Sequence, residues 1–222
     1  LYLYYGNPGA KNTSDGKQVF EFFDDFDFEN QDWVGYGTGV SVTSGSGYMQ
    51  LSNTSGSTRS WVALNDYNQY GCGTTAAPCK TREFQDSIIE YKFKHNESIY
   101  EEGGLLFRIT NNKSSGIIDG YQQAVRGRTS NDMPIWEMND ATDAGGGLTT
   151  VDTMALGYTV GQSWYEARLD MAGSNFTFWP DRVNNPSTYN NFSDTSFTTG
   201  SLGFWIYSNS QLQIDWIFVR KY

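Results

Sequence analysis

The feature that most constrains the fold of this chain is a series of short apolar runs separated by turn-forming clusters. Such runs recur from residue 19 onwards, among them SIIEYKFKH, GGLLFRITN, SWYEARLDM and GSLGFWIYS. Gly, Asn, Asp, Ser and Pro lie between them, and no 12-residue stretch has the period of a helix. This spacing predicts an all-β fold, a jelly-roll β-sandwich of two antiparallel sheets.

The composition agrees with a single large β domain and excludes two classes of partner. The 222 residues include 15 Tyr, 14 Phe and 7 Trp, and aromatic side chains are enriched in strands. The net charge of −10 argues against nucleic acid, which requires a basic surface. We find no apolar run near 18 residues, so membrane insertion through a helix is not expected.

Alternation within the runs predicts which side chains enter the core. Leu105, Phe107 and Ile109 share one face of GLLFRI, and the same reasoning buries alternate residues of WYEARLDM and SLGFWIY. The polar and aromatic side chains left over are expected on one outer face, where they would suit carbohydrate. A Trp in a sandwich is also commonly a core residue. The predicted carbohydrate-binding residues are Arg108, Gln122, Arg126, Trp136, Glu166, Arg168, Trp205 and Tyr207.

The cysteines and glycosylation motifs favour an extracellular location. Cys72 and Cys79 lie in the loop GCGTTAAPCK and are predicted to close a small disulfide ring, with free thiols or half a zinc site as the alternatives. The only histidine, His95, is expected at the surface and too isolated to complete a zinc site. Six Asn-x-Ser/Thr motifs are candidate glycosylation sites, although some arise by chance in so polar a chain. Their asparagines are Asn12, Asn53, Asn96, Asn112, Asn175 and Asn191.

The two ends of the predicted sandwich resemble a known family. VFEFFDDFD and QIDWIFVRKY are similar to the first and last strands of concanavalin-like (laminin-G-like) jelly rolls of archaeal and bacterial surface proteins. More distantly they resemble laminarinase-type β-glucanases, and GGLLFR, SWYEARL and GSLGFWIY fit the inner strands. The resemblance covers residues 19–222, which we take as the domain. Residues 1–18 form a strand and linker, and LYLYYGNP resembles the last strand of an uncharacterised domain that precedes such modules.

The resemblance implies a structural calcium ion and no catalytic site. In the β-glucanase relatives, Ca²⁺ joins the first strand to the last through carboxylate and carbonyl oxygens, the ligands this ion prefers. The matching positions are Asp25, Gly47 and Asp215, with Asp24 and Asp27 as further candidates. The alternative is that these aspartates border strands or pair with Arg220 and Lys221. The relatives' catalytic Glu-x-Asp-x-x-Glu pattern is missing. We therefore expect a non-enzymatic protein.

The sequence is compatible with two functions. The first is a calcium-stabilised extracellular module for carbohydrate recognition or adhesion at a cell surface. The second is a structural subunit of an extracellular filament or sheath, in which copies of the chain join by strand donation. The donated strand would be Leu1, Tyr2, Leu3, Tyr4 and Tyr5, followed by a flexible spacer. The same strand would alternatively be the end of a preceding domain.

Overall fold

A computed structural model of the chain confirms the all-β fold. It describes residues 20–222 except 28–32, 46, 57, 65–82, 96–101, 113–117, 128, 129 and 143; the side chains of residues 111 and 112 are also left out. Within these residues there is no helix of a length and hydrophobicity that would cross a membrane. The strands are β1 (Phe22–Asp24), β2 (Trp33–Tyr36), β3 (Val40–Thr43), β4 (Met49–Asn53), β5 (Arg59–Leu64), β6 (Ser87–His95), β7 (Glu102–Asn112), β8 (Ile118–Gln123), β9 (Val125–Arg126), β10 (Asp132–Ala141), β11 (Leu148–Ala155), β12 (Tyr165–Ala172), β13 (Asn175–Trp179), β14 (Asn190–Ser193), β15 (Ser201–Tyr207) and β16 (Gln211–Lys221).

The strands form two antiparallel sheets, as the sequence predicts. Sheet A has the order β14–β13–β12–β6–β16–β4–β3, and β1 also pairs with β16. Sheet B has the order β11–β10–β8–β7–β15–β5–β2, and β9 pairs with both β10 and β7. On one side β16 contacts β6 along most of its length, and on the other it contacts β4 and then β1. The last strand of the domain therefore lies inside sheet A.

The core forms where the inner faces of the two sheets meet. In β6 the alternating Ile89, Tyr91 and Phe93 are buried in this core. Leu202, Phe204 and Ile206 of β15 face them from sheet B, and the predicted inner residues of β12 are buried as well. Because successive side chains of a strand point to opposite faces, alternation identified these inner residues correctly.

Arg108 is the main departure from that alternation. A bulge in β7 places Leu202 opposite Phe107 but Ser201 opposite Ile109, which leaves Arg108 as the extra residue. Its φ of +51° is unusual for a residue with a side chain. The bulge reverses the parity of the strand, so Ile109 joins the outer face of sheet B and Arg108 turns inward. The prediction that Arg108 binds carbohydrate is therefore wrong.

The Arg108 side chain connects sheet B to three loops at one end of sheet A. Its guanidinium lies 4.7 Å from the ring centre of Phe176 and is 1% exposed. It donates hydrogen bonds to the carbonyl groups of Phe197 (2.8 Å), Gly173 (2.7 Å) and Gln85 (3.3 Å). These residues lie after β14, between β12 and β13, and before β6. One side chain therefore satisfies backbone acceptors from three separate segments.

We expect Arg108→Met to destabilise the domain strongly. The substitution keeps the apolar stem but leaves three partly buried carbonyl groups without the Arg108 donor, at a cost of about 1 kcal/mol each. Urea unfolding should therefore show a loss of about 3 kcal/mol. Lys221→Met is the control, because the Lys221 side chain is 85% exposed. Equal midpoints for the two variants would show that Arg108 does not hold the loops.

His95 is buried, contrary to the prediction that it lies at the surface. The residue is 1% exposed at the end of β6, with its ring edge-on to Phe93 at 5.7 Å. In the described part of the chain neither ring nitrogen has a hydrogen-bond partner. Burial lowers the pKa of His95 to about 4. The folded protein therefore keeps this histidine neutral in mildly acidic solution, whereas the unfolded chain protonates it near pH 6.5.

This difference predicts that stability falls as the pH is lowered from 7 to 5. The unfolded state binds more protons than the folded state over that range, so the free energy of unfolding decreases by about 2 kcal/mol. His95 is the only histidine, and the carboxyl groups titrate mainly at lower pH. Urea unfolding of His95→Leu should lack this decrease. A wild-type midpoint that does not change between pH 7 and 5 would contradict the prediction.

Candidate functional site

The outer face of sheet B combines charged and aromatic side chains. Residues of β5, β7, β8, β10 and β15 that point away from the core form a second apolar cluster on this face. Trp61 and Trp205 lie directly opposite each other on neighbouring strands. Glycine and alanine occupy several adjacent positions, namely Ala63, Gly104, Ala124 and Gly203. The centre of this face therefore consists of two tryptophans with small residues at the adjacent positions.

A row of polar side chains crosses this face beside the two tryptophans. Asp132 of β10 is opposite Arg126 of β9, and Arg126 is opposite Glu102 of β7. The register of β7 and β15 then brings Tyr207 next to Glu102, and Tyr207 is opposite Arg59 of β5. We call these five residues the polar row. Acidic and basic groups alternate along it, so it offers both hydrogen-bond acceptors and donors.

The members of the polar row are held by ion pairs and aromatic contacts. Arg126 donates two hydrogen bonds to Asp132, from Nε at 2.6 Å and from Nη2 at 2.5 Å. The guanidinium of Arg126 lies 5.7 Å from the ring centre of Trp136, and that of Arg59 lies 5.4 Å from the ring centre of Tyr207. The charged groups are therefore positioned over aromatic rings, where cation–π attraction holds them.

Burial shifts the pKa values of the charged groups in opposite directions. Loss of solvent raises the pKa of Glu102, while Arg126 and Arg59 act against the rise. Loss of solvent also lowers the pKa of Arg59. The pKa of Arg126 is raised, mainly by its hydrogen bond with Asp132. The polar row is thus partly removed from water, a setting in which hydrogen bonds to a ligand are stronger.

Access to the face differs from its centre to its margin. Trp205 is 1% exposed, its Nε1 donates to the Gln123 carbonyl at 2.7 Å, and Arg59 lies over its ring at 5.8 Å. The tip of the β10–β11 hairpin reaches this region, because a Cβ added to Gly145 would overlap Nη1 of Arg59. Trp136 is half-buried beside the polar row, with Arg126 at 5.7 Å from its ring centre and the ring of Trp205 edge-on at 6.0 Å.

Sequence reasoning identified part of this surface. Arg126, Trp136 and Tyr207 do lie together, whereas Gln122 and Trp205 share the face but are buried beneath it. Gln122 is 2% exposed, and its Nε2 has no hydrogen-bond partner within the described residues. The prediction missed four members of the face, although the alternation of RSWVAL would have revealed two of them. These four are Arg59, Trp61, Glu102 and Asp132.

Glu166 and Arg168 do not belong to this surface. Both lie in β12, on the outer face of sheet A and therefore on the opposite side of the sandwich. Glu166 is opposite Lys92, and Arg168 is opposite Glu90. The predicted grouping failed because parity gives the face of a strand but not the sheet in which the strand pairs.

The predicted calcium ligands come together only in part. Asp24 is buried, and its carboxylate accepts hydrogen bonds from the Phe26 amide (2.9 Å) and from Nε1 of Trp33 (2.8 Å). Asp215 is paired with Lys92, with 2.5 Å between Oδ2 and Nζ. Both carboxylates are therefore engaged with groups other than a metal.

Three of the predicted ligands are compatible with a cation. Asp25 and Asp27 are exposed, and the Gly47 amide donates to the Phe26 carbonyl at 3.2 Å, which holds this turn beside them. Oδ1 of Asp27 lies 3.7 Å from the position of a Cβ on Gly47. The described residues contain no group of three or more Asp, Glu, His or Cys side chains that would hold a metal. A cation here would rely on carbonyl oxygens and water for most of its ligands.

The other predicted modification sites have different outcomes. Asn53 is 3% exposed, and its side chain bonds to Thr58 and Ser55, so a glycan at Asn53 is incompatible with the fold. Asn175 and Asn191 are exposed on the β13–β14 hairpin and remain predictions. The remaining predicted residues lie outside the described residues or side chains. They are Cys72, Cys79, Asn12, Asn96, Asn112 and the donated strand of residues 1–5.

Comparison with solved structures identifies the fold at low sequence identity. A carbohydrate-binding module, CBM66 from Bacillus subtilis, is 11% identical with a TM-score of 0.57, over 86% of this chain and 92% of that one. A Bacillus subtilis protein of unknown function with a galectin-like fold is 12% identical with a TM-score of 0.63, over 91% and 96%. The exoplasmic/lumenal domain of VIP36, in a form bound to Ca²⁺ and Man3GlcNAc, is 11% identical with a TM-score of 0.61, over 91% of both chains.

Sequence comparisons are less informative than the fold. A family model described as a domain of unknown function, DUF2341, matches residues 1–35, a range that includes β1 and most of β2. No curated protein matches the chain significantly. A Bacillus licheniformis β-glucanase is 12% identical with a TM-score of 0.54, over 90% of this chain and 98% of that one. In fold, the chain is therefore a jelly roll of the galectin-like and concanavalin-like type, as the sequence resemblance implied.

Proposed function

We propose that this protein is a carbohydrate-binding module whose ligand lies on the outer face of sheet B. The single observation that carries the proposal is the polar row beside the half-buried Trp136. The names of two similar structures support it, since one is a carbohydrate-binding module and the other was determined with Man3GlcNAc. The polar row belongs to this chain's own residues and does not depend on those names.

The chemistry of the polar row suits sugar hydroxyl groups. Each hydroxyl is both a donor and an acceptor, and the row presents Arg126 as a donor beside Glu102 as an acceptor. Aromatic side chains provide apolar surface together with a defined geometry, and the C–H groups of a pyranose ring match such a surface. Trp136 is placed to stack with the sugar while its neighbours bind the hydroxyls.

The arrangement favours binding over hydrolysis. A glycosidase of the usual type requires two carboxyl groups free to act on the substrate. Both oxygens of Asp132 already accept hydrogen bonds from Arg126. Structures similar in fold include glucanases as well as binding modules, so the assignment to binding relies on this engagement of Asp132. We also propose that the module acts at a cell surface, where glycans on Asn175 and Asn191 would be compatible with its fold.

A glycan array followed by calorimetry tests the proposal. We expect the wild-type protein to bind at least one neutral oligosaccharide, and Trp136→Ala to weaken that binding about tenfold through loss of stacking, equivalent to about 1.4 kcal/mol. Trp216→Ala is the matched control, because Trp216 is also half-buried but lies on sheet A. Binding that survives Trp136→Ala but is lost in Trp216→Ala would place the ligand elsewhere, and no binding on the array would refute the proposal.

Calcium remains part of the proposal as a structural ion at Asp25, Asp27 and Gly47. Calcium that binds only the folded protein raises its stability by about 2.7 kcal/mol at a concentration 100 times its Kd. We therefore expect Tm to be higher in Ca²⁺ than in chelator, and Asp27→Asn to abolish this difference. The control is Asp140→Asn, an exposed aspartate on sheet B. If wild-type Tm is the same in Ca²⁺ and chelator, the structural ion must be abandoned.

A further inference from the structure

Three arginines converge on one buried carboxylate on the outer face of sheet A. Glu90 of β6 is 5% exposed. Its oxygens lie 2.8 Å from Nη2 of Arg182, 3.2 Å from Nη2 of Arg220 and 3.9 Å from Nη1 of Arg168. These arginines come from the segment after β13, from β16 and from β12, so the fold assembles the cluster from distant parts of the sequence.

A second carboxylate also belongs to this cluster. Asp170 engages Arg168 through two hydrogen bonds, 2.5 Å from Nε and 2.7 Å from Nη2. Three guanidinium groups therefore contact two carboxylates in this cluster, and Glu166 lies on the same outer face, where its carbonyl accepts a hydrogen bond from the Arg182 amide at 2.7 Å. Since Glu90 and Asp170 are already paired, an anion would bind through the N–H donors that these arginines leave open.

Two of the arginines are also accessible. The side chains of Arg182 and Arg220 are 42% and 41% exposed. Each uses one nitrogen to contact Glu90, and among the described residues neither makes another side-chain ion pair or hydrogen bond. A guanidinium has five N–H donors in a planar fork that fits carboxylate and sulfate groups. The buried Glu90 thus holds two arginines in place while their remaining donors stay open.

An aromatic pair lies immediately beside these arginines. Trp179 of β13 is opposite Arg168, whose guanidinium lies 5.5 Å from the Trp179 ring centre. The ring of Tyr189 lies 5.8 Å from that of Trp179, and Tyr189 is 45% exposed. An exposed tyrosine beside a half-buried tryptophan provides an apolar contact surface of the kind that a sugar ring covers.

We propose that the outer face of sheet A binds an anionic saccharide. Arg182 and Arg220 bind its carboxylate or sulfate group, and Trp179 with Tyr189 contacts its ring. This site lies on the opposite side of the sandwich from the polar row and does not rest on the function proposed for sheet B. The protein would then bind two chemically different saccharides, one on each sheet.

Binding of polygalacturonate, measured by calorimetry, tests this site. We expect wild-type protein to bind polygalacturonate at low salt and to bind it more weakly as NaCl is raised, because the contact is ionic. Arg182→Gln should weaken binding about tenfold. Arg182→Lys should restore only part of the affinity, since lysine keeps the charge but loses the planar fork. Trp179→Ala should weaken binding without changing its dependence on salt.

The controls separate this site from general charge effects and from sheet B. Lys221→Gln removes a positive charge one residue from Arg220, away from Glu90, and should leave binding unchanged. Trp136→Ala should also have no effect on polygalacturonate. Equal losses in Lys221→Gln and Arg182→Gln would overturn the proposal, as would the absence of binding by a wild-type protein with a normal melting curve. A third result would also contradict the proposal. If Trp179→Ala still binds polygalacturonate normally and free sulfate abolishes that binding, the site recognises a simple anion and not a saccharide.

Discussion

The hydrogen bonds of Arg108 are the constraint on which one end of the sandwich depends. A charged group is costly to bury, and the fold compensates this cost by directing the guanidinium at three carbonyl groups that no strand partner satisfies. The carbonyls belong to loops of sheet A, while the side chain comes from sheet B. The positions of β6, β13 and β14 are therefore tied to the bulge in β7.

The two outer faces of this sandwich have the same components in different arrangements. On sheet B the charges form a row in which Asp132 and Glu102 alternate with arginines. On sheet A three arginines surround a single buried carboxylate, Glu90, and two of these arginines are exposed. Aromatic rings accompany the charges on both faces. The same types of side chain thus suit neutral hydroxyl groups on the outer face of sheet B and an anionic group on the outer face of sheet A.

The sequence was sufficient to predict the class of fold and most of the core, because the alternation of β6, β12 and β15 is regular. It failed at Arg108, since a one-residue bulge reverses parity and leaves no mark in the pattern. It also placed Glu166 with Tyr207, although their strands pair in different sheets. Strand pairing depends on contacts between distant residues. For the same reason the sequence could not show that Asp215 forms an ion pair with Lys92 instead of binding a metal.

The place of β16 inside sheet A has a consequence for how the domain forms. β16 separates β6 from β4 and also pairs with β1, so the two halves of the sheet have no direct hydrogen bonds until this strand is in position. Translation delivers β16 after every other strand of the domain. On the ribosome the nascent chain therefore carries β6 with an unpaired edge. The contact order of the domain is high, because β16 pairs with strands that are distant in sequence. We therefore expect the domain to fold slowly and to complete sheet A only once β16 has been synthesised.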